Sequence, residues 1–409
     1  MIYDMIVIGA GAAGVFGAIA AKTANRNACV RILEKTSTAL SKVKISGGGR
    51  CNVTHYCFEP KELIKNYPRG HKELLGPFFS FGPHETVEWF AKRGVSLKKE
   101  PDGRMFPVTD SSQTIIDCLK KECATLGIDI CYQQKILSIE KENGLFKITL
   151  ENQPPVFSKT LLMATGSSPQ GHQLVASLGH TITKTVPSLF TFNIDSFSLS
   201  SFSGVSFEDA LVSLKNTSFS QRGPLLITHF GFSGPSVIKL SAWAARHLAE
   251  KNYQHAITIN WIPSQARLAI QDTLVGLRST WKTKQISTES PWKIPKQLWK
   301  FFCEIACHDP QKKWADLSKN DLKALVELLT SQEFFIHGKS THKEEFVTCG
   351  GVLLEEICFK SMESKRCPGL FFAGEILDID GVTGGFNFQN AWTGSYIAGF
   401  SANRAYFSS

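Results

Sequence analysis

The sequence predicts an α/β protein whose principal domain is built from both ends of the chain and is interrupted by an insertion. Three observations support this fold class. The chain opens with an apolar run, a glycine-rich turn and a helix of small residues, which is the beginning of a parallel β-α-β unit. Beyond Pro187 the composition changes to Ser, Phe and β-branched residues with the alternation of antiparallel strands. Strand-like runs return after about Thr341, so the first domain is expected to resume there.

The N-terminal unit carries the first functional motif. Met5–Ile8 is a continuous apolar run typical of a buried parallel strand, and Cys29–Leu33 provides the second strand. Between them, "GAGAAG" has the G-x-G-x-x-G spacing at the start of a helix. Its glycines are Gly9, Gly11 and Gly14. Glu34 lies 20 residues after the last glycine, where a carboxylate bonds ribose hydroxyls and repels the 2′-phosphate of NADP. The sequence therefore predicts a dinucleotide site that disfavours NADP.

The later elements define the domain boundaries. Ile136–Glu151 is expected to form a hairpin with an Asn-Gly turn, and Thr160–Gly166 a buried strand. Ser318 and Asp321 form a capping pair for a helix, and a final helix is expected near Asn390. We expect an α/β domain, a β insertion and a helical insertion. Their ranges are 1–187 with 341–409, 188–263 with about 333–340, and 264–332.

Composition limits the function classes. The chain has 409 residues, is 43% hydrophobic and 20% charged, and carries a formal net charge of +9. Its basic residues are spread along the chain, so a nucleic-acid partner is not favoured. Its 11 cysteines show no CxxC pair, which indicates reduced thiols in a cytoplasmic protein. No apolar run is long enough for a transmembrane helix, no metal-ligand cluster is present, and nothing indicates an oligomeric state.

The C-terminal stretch from Gly369 to Gly399 identifies the dinucleotide more closely. A strand "LFFA" leads to Gly374-Glu375, then to a glycine-rich loop and a helix. In flavoproteins of the glutathione-reductase type, such a Gly-acid pair holds the ribityl chain and the next helix points its N-terminus at the flavin. A helix N-terminus stabilises the negative charge of a reduced flavin. This second contact point favours FAD over NAD alone.

The sequence resembles the BaiN-like (aminoacetone-oxidase-like) family of FAD-dependent flavoproteins. The stretches that carry the resemblance cover nearly the whole chain. They include "VIGAGAAG", "KISGGGRCNVT", "LLMATGSSP", "THFGFSGPSVIKLS", "VTCGGV" and "GLFFAGEILDIDGVTGGFNFQNAWTGSYIAG". The resemblance implies a glutathione-reductase-like (Rossmann-type) FAD domain, an inserted β-barrel-like region with a small helical region, and one non-covalent FAD. The stretch after "ATGSSP" departs from the family pattern. A second G-x-G-x-x-G is missing, so NAD(P)H as electron donor has no motif to support it.

The resemblance also implies which residues contact FAD. On the ADP half these are Gly9, Gly11, Ala13, Gly14, Glu34 and Lys35, with Ile136 near the adenine. The glycine-rich stretch contributes Gly48, Gly49, Arg50, Cys51 and Asn52, and the later strand Ala164, Thr165 and Gly166. The ribityl and flavin side is expected to use Gly374, Glu375, Asp380, Asn387, Phe388, Asn390 and Ala391.

Two residues are candidates for catalysis. Cys51 and Cys57 lack the close spacing of a redox dithiol, so Cys51 is expected to pack beside the flavin, with a reactive thiol as the alternative. His229 is a candidate proton donor or substrate ligand, with a purely structural histidine as the alternative. A small-residue loop with Thr348, Gly350 and Gly351 is expected to approach the substrate, by analogy with fumarate-reductase-type flavoproteins.

These observations predict an FAD-dependent oxidoreductase that transfers a hydride or electron pair between the flavin and a small organic substrate. The direction of transfer is open at this stage. Two other functions stay open. One is a flavin-dependent RNA-modifying enzyme, which the net charge suggests. The other is a flavin-binding or sensing protein without catalysis.

Overall fold

The computed structural model of the chain describes residues 2–309, 311–339 and 347–406. The chain forms two units, Met1–Ser188 with Lys343–Ser409, and Leu189–His342. The N-terminal part of the first unit contains, in order, β1 (Ile2–Ile8), α1 (Ala12–Ala24), β2 (Val30–Leu33), α2 (Ser41–Gly49), β3 (Thr54–His55), α3 (Pro60–Leu63), α4 (His71–Ser80), α5 (Pro83–Ala91), β4 (Leu97–Lys99), β5 (Arg104–Pro107), α6 (Ser112–Thr125), β6 (Asp129–Cys131), β7 (Ile136–Glu142), β8 (Leu145–Leu150), β9 (Val156–Met163), α7 (Pro169–Ser177) and β10 (Val186–Ser188).

The remaining elements complete both units. The second unit contains β11 (Phe192–Ile194), β12 (Ser206–Leu214), β13 (Ser220–Ile227), β14 (Gly231–Ser233), α8 (Pro235–Trp243), α9 (Ala245–Glu250), β15 (Gln254–Asn260), α10 (Arg267–Thr280), α11 (Lys296–Cys307), α12 (Lys319–Ser331) and β16 (Gln332–Lys339). The first unit then resumes with β17 (Val347–Cys349), β18 (Ile357–Cys358), β19 (Glu363–Ser364), β20 (Leu370–Phe372) and α13 (Phe386–Tyr406).

A parallel sheet forms the centre of the first unit. Its strands run in the order β20-β9-β1-β2-β6, and every neighbouring pair in this run is parallel. The central strand β1 is buried from Met5 to Ile8 because these apolar side chains have neighbours on both faces. Helices α1 and α13 pack together, with the rings of Phe16 and Trp392 5.3 Å apart. The predicted α/β class is confirmed.

The second unit contains a closed antiparallel barrel. Six strands close in the order β11-β14-β13-β12-β15-β16, so the predicted barrel-like region is confirmed. Helices α10 to α12 lie in the chain between β15 and β16. The predicted capping pair is present, because the Ser318 hydroxyl accepts a hydrogen bond from the Asp321 N–H and Asp321 accepts from the Ser318 N–H.

The structure differs from the sequence prediction in two elements. Helix α13 begins at Phe386, earlier than the predicted Asn390, because the "GG" before it already provides the turn. The triple glycine ends helix α2, in which Gly47, Gly48 and Gly49 have φ angles of +59°, +67° and +81°. Only glycine adopts this left-handed backbone at low cost in three consecutive positions. The predicted boundary near residues 340 and 341 lies outside the described residues.

Candidate functional site

The carboxyl ends of four parallel strands bring most of the predicted cofactor residues to one edge of the sheet. The Gly9 N–H donates to the Leu33 carbonyl at 2.9 Å, and the Ala164 N–H donates to the Ile8 carbonyl at 3.0 Å. The Ala373 N–H reaches the Met163 carbonyl at 3.2 Å, so Gly374 lies along the same edge. Ligands of open α/β sheets bind at this kind of edge.

The glycines at the start of α1 have separable roles. A side-chain carbon on Gly14 would lie 1.8 Å from the Gly9 carbonyl oxygen, so Gly14 is required for α1 to approach β1. A side-chain carbon on Gly11 would meet no atom within 4 Å, so Gly11 leaves an open face in front of the helix. The free N–H groups and dipole of α1 favour an anion at that face. Ala13 lies buried in the first turn of the helix.

Glu34 is held in a fixed position at the end of β2. Its Oε2 accepts the Ala10 N–H at 2.7 Å, and its Oε1 accepts the N–H and the hydroxyl of Thr36, both at 2.8 Å. Beside it is a cavity of about 210 Å³. The cavity is lined by the predicted residues Gly9, Glu34, Lys35, Ile136 and Thr165, and by others such as Gln134, Ser168 and Gln170.

These last three residues were missed by sequence reasoning. Gln170 donates to the Ile136 carbonyl at 2.7 Å, and the Ser168 hydroxyl accepts from the Gly171 N–H at the start of α7. The Ser-Pro pair that begins α7 is the signal in the sequence that marks this position.

The glycine-rich stretch places Arg50 and Cys51 in different environments. Arg50 forms an ion pair with Glu100 at 2.6 Å, and its guanidinium lies 4.0 Å from the centroid of the Phe106 ring. These contacts anchor the loop within the protein. Cys51 is fully buried with φ of +61°. Burial raises the pKa of the Cys51 thiol to about 12, although a hydrogen bond to Ser46 opposes this shift. Gly48 and Gly49 face open space.

Asn52 connects this stretch to the start of α13. With its amide oriented to satisfy both neighbours, Asn52 donates to the Thr54 carbonyl at 3.0 Å and accepts the Gly385 N–H at 2.9 Å. Nδ1 of His55 is hydrogen-bonded to the Gly384 carbonyl, 2.9 Å away, and the His55 ring stacks on Phe386. Because the Gly384 partner is a carbonyl, Nδ1 of His55 is the donor.

The acidic residues after β20 organise the loop that was predicted to approach the substrate. Glu375 accepts the Thr348 N–H at 2.9 Å and pairs with Lys42 at 2.7 Å. Asp378 accepts the Gly350 N–H at 3.0 Å. The Gly351 N–H donates to the Thr183 hydroxyl at 3.0 Å. These backbone donors are therefore used inside the protein, and the loop is held firmly beside Gly374 and Glu375.

Asp380 lies in a buried ion pair with Arg69. Its carboxylate accepts two hydrogen bonds from the Arg69 guanidinium and one from the Ser188 hydroxyl at 2.7 Å. Burial raises the pKa of Asp380, while Arg69 and Ser188 act in the opposite direction. Sequence reasoning placed Asp380 on the cofactor and missed Arg69 and Ser188. The carboxylate is engaged by the protein, which indicates a positioning role.

The N-terminal part of α13 contributes the remaining predicted residues. The Asn387 amide makes two hydrogen bonds with the backbone of Gly381. It accepts the Gly381 N–H at 2.8 Å and donates to the Gly381 carbonyl at 2.9 Å. Phe388 stacks on Trp392 with ring centroids 5.7 Å apart, and Ala391 is buried. Asn390 is 2% exposed. The amide of Asn387 therefore fixes the loop before the helix.

Two of the predicted cofactor residues have a buried side-chain oxygen with no hydrogen-bond partner among the described residues. These oxygens are Oδ1 of Asn390 and Oγ1 of Thr165. A buried polar atom without a hydrogen bond costs about 1–3 kcal/mol, so each of these two oxygens is available to a bound group or a water molecule. Together with the open face at Gly11, they show that the residues present fit a bound dinucleotide. Gly166 lies beside Thr165 with φ of +59°.

His229 lies in the second unit, in the turn between β13 and β14. It is exposed, and its neighbour Phe230 is 75% exposed. His229 and Cys51 thus belong to different units. Across the described ranges, no group of three His, Cys, Asp or Glu side chains is arranged to hold a metal ion. Within the same ranges, no helix has both the length and the apolar character needed to cross a membrane.

Comparisons with known proteins identify the family. The model of the HI0933-like protein Rossmann domain matches residues 3–401. The chain is 28% identical over 406 residues to the ribosomal RNA dihydrouridine synthase of Escherichia coli, covering 96% of each protein. It is 26% identical to the 3-dehydro-bile acid delta(4,6)-reductase of Clostridium scindens, covering 97% of this chain and 98% of that protein.

A solved structure supports the fold. The 3-ketosteroid delta1-dehydrogenase from Sterolibacterium denitrificans superposes with a TM-score of 0.53 at 11% identity, covering 100% of both chains. Fold, site and family together define the class as the FAD-dependent oxidoreductases. Because the family model spans nearly the whole chain, the chain belongs to the HI0933-like Rossmann family. This finding confirms the BaiN-like resemblance.

Proposed function

We propose that this protein is an FAD-dependent reductase of carbon–carbon double bonds that are conjugated to a carbonyl group. The observation that carries the proposal is the convergence of the α1 glycine turn, Glu34 and the Gly374-Glu375 pair at one sheet edge. We assign FAD to this edge, in the domain formed by 1–187 and 341–409. The barrel of 188–263 with about 333–340 and the helices of 264–332 form the inserted parts.

The chemistry of two relatives supports the choice of reaction. Dihydrouridine is a uridine whose ring double bond, adjacent to a carbonyl, has been saturated. A delta(4,6)-reductase of a 3-dehydro steroid likewise saturates double bonds conjugated to a ketone. In both reactions a hydride adds to the carbon remote from the carbonyl and a proton to the nearer carbon. Bound FAD, once reduced, supplies the hydride.

The protein must hold the substrate carbonyl and deliver the proton. We assign proton delivery to His229, because an exposed imidazole is accessible to substrate and solvent and is a common general acid. Of the loop predicted to approach the substrate, we assign only Thr348 to the substrate side, because Gly350 and Gly351 are buried against the backbone of Lys184 and Ile376. Cys51 packs as a neutral thiol and takes no part in proton transfer, since its pKa is about 12.

Two substrate classes contain the reactive bond. A free conjugated ketone is the candidate if the substrate is a small molecule. Uridine within RNA is the second candidate, and the 28% identity to the RNA-modifying relative over 96% of both chains favours it. The sequence contains only one dinucleotide motif, so the electron donor of the flavin is unassigned. Anaerobic titration with NADH and with NADPH tests whether either nucleotide reduces the flavin.

The test uses the FAD-reconstituted protein, photoreduced without oxygen and mixed with a conjugated ketone or with a uridine-containing rRNA transcript. We expect flavin reoxidation and a product heavier by two hydrogens with at least one substrate. A protein that binds no FAD, or a reduced flavin that reoxidises with neither substrate, would contradict the proposal.

A matched pair of histidine variants tests the proton donor. We expect His229→Gln to retain the flavin spectrum and to lower turnover about 100-fold, because a proton donor contributes a factor of this order. His71→Gln, which changes an exposed histidine of the first unit, should leave turnover unchanged. Full turnover in His229→Gln across the pH range would remove His229 from the mechanism.

A further inference from the structure

Although basic residues are spread along the chain, one short segment of the second unit has a clear excess of positive charge. Residues 281–300 contain five lysines and a single acidic residue, Glu289, which gives this segment a net charge of +4 out of +9 for the whole chain. The lysines are Lys282, Lys284, Lys293, Lys296 and Lys300. All five are exposed. We call this set the basic strip.

A buried framework holds the basic strip in place. Ile286, Leu298 and Trp299 of the same segment are fully buried, and the Trp299 indole donates to the Ile286 carbonyl at 2.7 Å. Lys296 and Lys300 are one helical turn apart in α11, so they lie on the same face of that helix. The positions of the lysines are therefore set by the fold.

Most of this charge is not neutralised by neighbouring carboxylates. Lys284 pairs with Glu289 at 3.2 Å, and Lys300 lies 3.9 Å from Glu304. Across the described residues, Lys282, Lys293 and Lys296 form no ion pair. The basic residues of the first unit near β4 and β5 differ, because Lys98 pairs with Asp110 and Arg104 with Asp102. The basic strip is thus available to an anionic partner.

Aromatic rings lie among these lysines. Trp281 and Trp292 are partly exposed, and the Lys284 ammonium lies 4.6 Å from the centroid of the Trp281 ring. Alternating cations and exposed rings are what single-stranded nucleic acids bind, through phosphates and base stacking. An acidic protein would use the lysines but would gain little from the rings.

We propose that the basic strip binds the phosphate backbone of uridine-containing RNA. This inference rests on the proposed function and selects its RNA substrate over a free ketone. Lys282, Lys293 and Lys296 contact phosphates, and Trp281 and Trp292 stack on unpaired bases.

The test compares two variants of equal charge change. The strip variant is Lys282→Gln/Lys293→Gln/Lys296→Gln. The control is Lys61→Gln/Lys120→Gln/Lys121→Gln, which changes three exposed lysines of the first unit. Binding of a fluorescein-labelled, uridine-rich single-stranded RNA to the FAD-loaded protein is followed by anisotropy at several salt concentrations.

We expect the strip variant to bind RNA about tenfold more weakly or worse, and its salt slope to fall by about 2, because three phosphate contacts are lost. The control should bind like the unmodified protein. The proposal would be overturned if both variants lost the same RNA affinity, or if the strip variant bound RNA like the unmodified protein. It would also be overturned if polyglutamate competed for binding as well as unlabelled RNA does.

A separate readout distinguishes this failure from failure of the proposed function. The photoreduced protein and both variants are given a conjugated ketone. If they reduce it while the strip variant still binds RNA normally, the RNA surface is wrong and the reductase function stands. If neither ketone nor RNA is reduced, the proposed function itself fails.

Discussion

At the residue scale, Cys51 is a buried cysteine that its surroundings keep chemically unreactive. Its side chain is fully buried and its backbone is left-handed, a conformation that is costly for a non-glycine residue. The preceding glycines and the hydrogen bond from the Cys51 N–H to the Ser46 carbonyl, at 3.0 Å, hold it there. With a thiol pKa of about 12, Cys51 is protonated throughout the neutral range.

Iodoacetamide should alkylate the thiol of Cys358 and leave the thiol of Cys51 unmodified. A thiol is alkylated as its thiolate, so the reaction needs a pH near or above the pKa. A hydrogen bond from Ser361 lowers the pKa of the half-buried Cys358, whereas burial raises that of Cys51. We expect peptide mass spectrometry to find Cys358 labelled and Cys51 intact at mildly alkaline pH.

Two outcomes would contradict this account of Cys51. One is labelling of Cys51 ahead of Cys358 in the folded protein. The other is loss of turnover in Cys51→Ser with FAD retained, which would make the thiol part of the chemistry. Cys358→Ser serves as the control, since Cys358 lies outside the site.

At the scale of single elements, two glycines of the α1 motif have very different surroundings. Gly11 has φ of −77°, which any residue adopts, and its missing side chain leaves open space. Gly14 instead lies against the carbonyl oxygen of Gly9. The two glycines therefore occupy one motif for different reasons.

Alanine substitution should separate these two roles. We expect Gly11→Ala to leave the stability of the FAD-free protein unchanged and to weaken FAD binding about tenfold or more, because the methyl group enters the space of the pyrophosphate. We expect Gly14→Ala to destabilise the protein by about 1–3 kcal/mol through overpacking. Urea denaturation and FAD titration measure the two effects, and a destabilised Gly11→Ala with normal FAD affinity would contradict the assignment.

The Arg69–Asp380 pair connects the loop after β20 to distant parts of the first unit. Asp380 also accepts a hydrogen bond from Ser188 in β10, and β10 pairs with β17 before the glycine loop. The buried carboxylate of Asp380 therefore connects the segments that carry Arg69 and Ser188, near the loop that contains Thr348.

Removing this carboxylate should cost more than removing the hydroxyl beside it. We expect Asp380→Asn to lower the free energy of unfolding by about 3–5 kcal/mol, because the buried Arg69 charge loses its counter-charge. Ser188→Ala removes one hydrogen bond to a charged group and should cost about 1.5–3 kcal/mol. Urea denaturation measures both, and an Asp380→Asn variant as stable as the unmodified protein would show that the pair is not structural.

The elements that sequence predicted well are those whose parts are adjacent in the chain. The β1-α1-β2 unit and the capping pair Ser318–Asp321 depend on local spacing. The partners Arg69 and Ser188 of Asp380 lie far away in sequence, and no local pattern connects them. Helix α2 was missed because its three terminal glycines are typical of a loop. The cavity-lining Gln134 carries no motif, so only the fold brings it to Glu34.

At the scale of the whole molecule, the two units contain different features of the proposed enzyme. The first unit contains the parallel sheet edge with most of the predicted cofactor residues. The second unit contains the barrel, His229 and the basic strip. A reductase acting on RNA needs both a flavin site and a surface for the nucleic acid, and the chain provides a candidate for each.

The most direct test of the central claim is the stoichiometry of a single turnover. The FAD-loaded protein is photoreduced without oxygen and mixed with uridine-containing RNA or a conjugated ketone, while flavin absorbance and product mass are followed together. The account predicts one saturated double bond for each flavin reoxidised. Flavin that stays reduced with both substrates and reoxidises only when oxygen is admitted would contradict it.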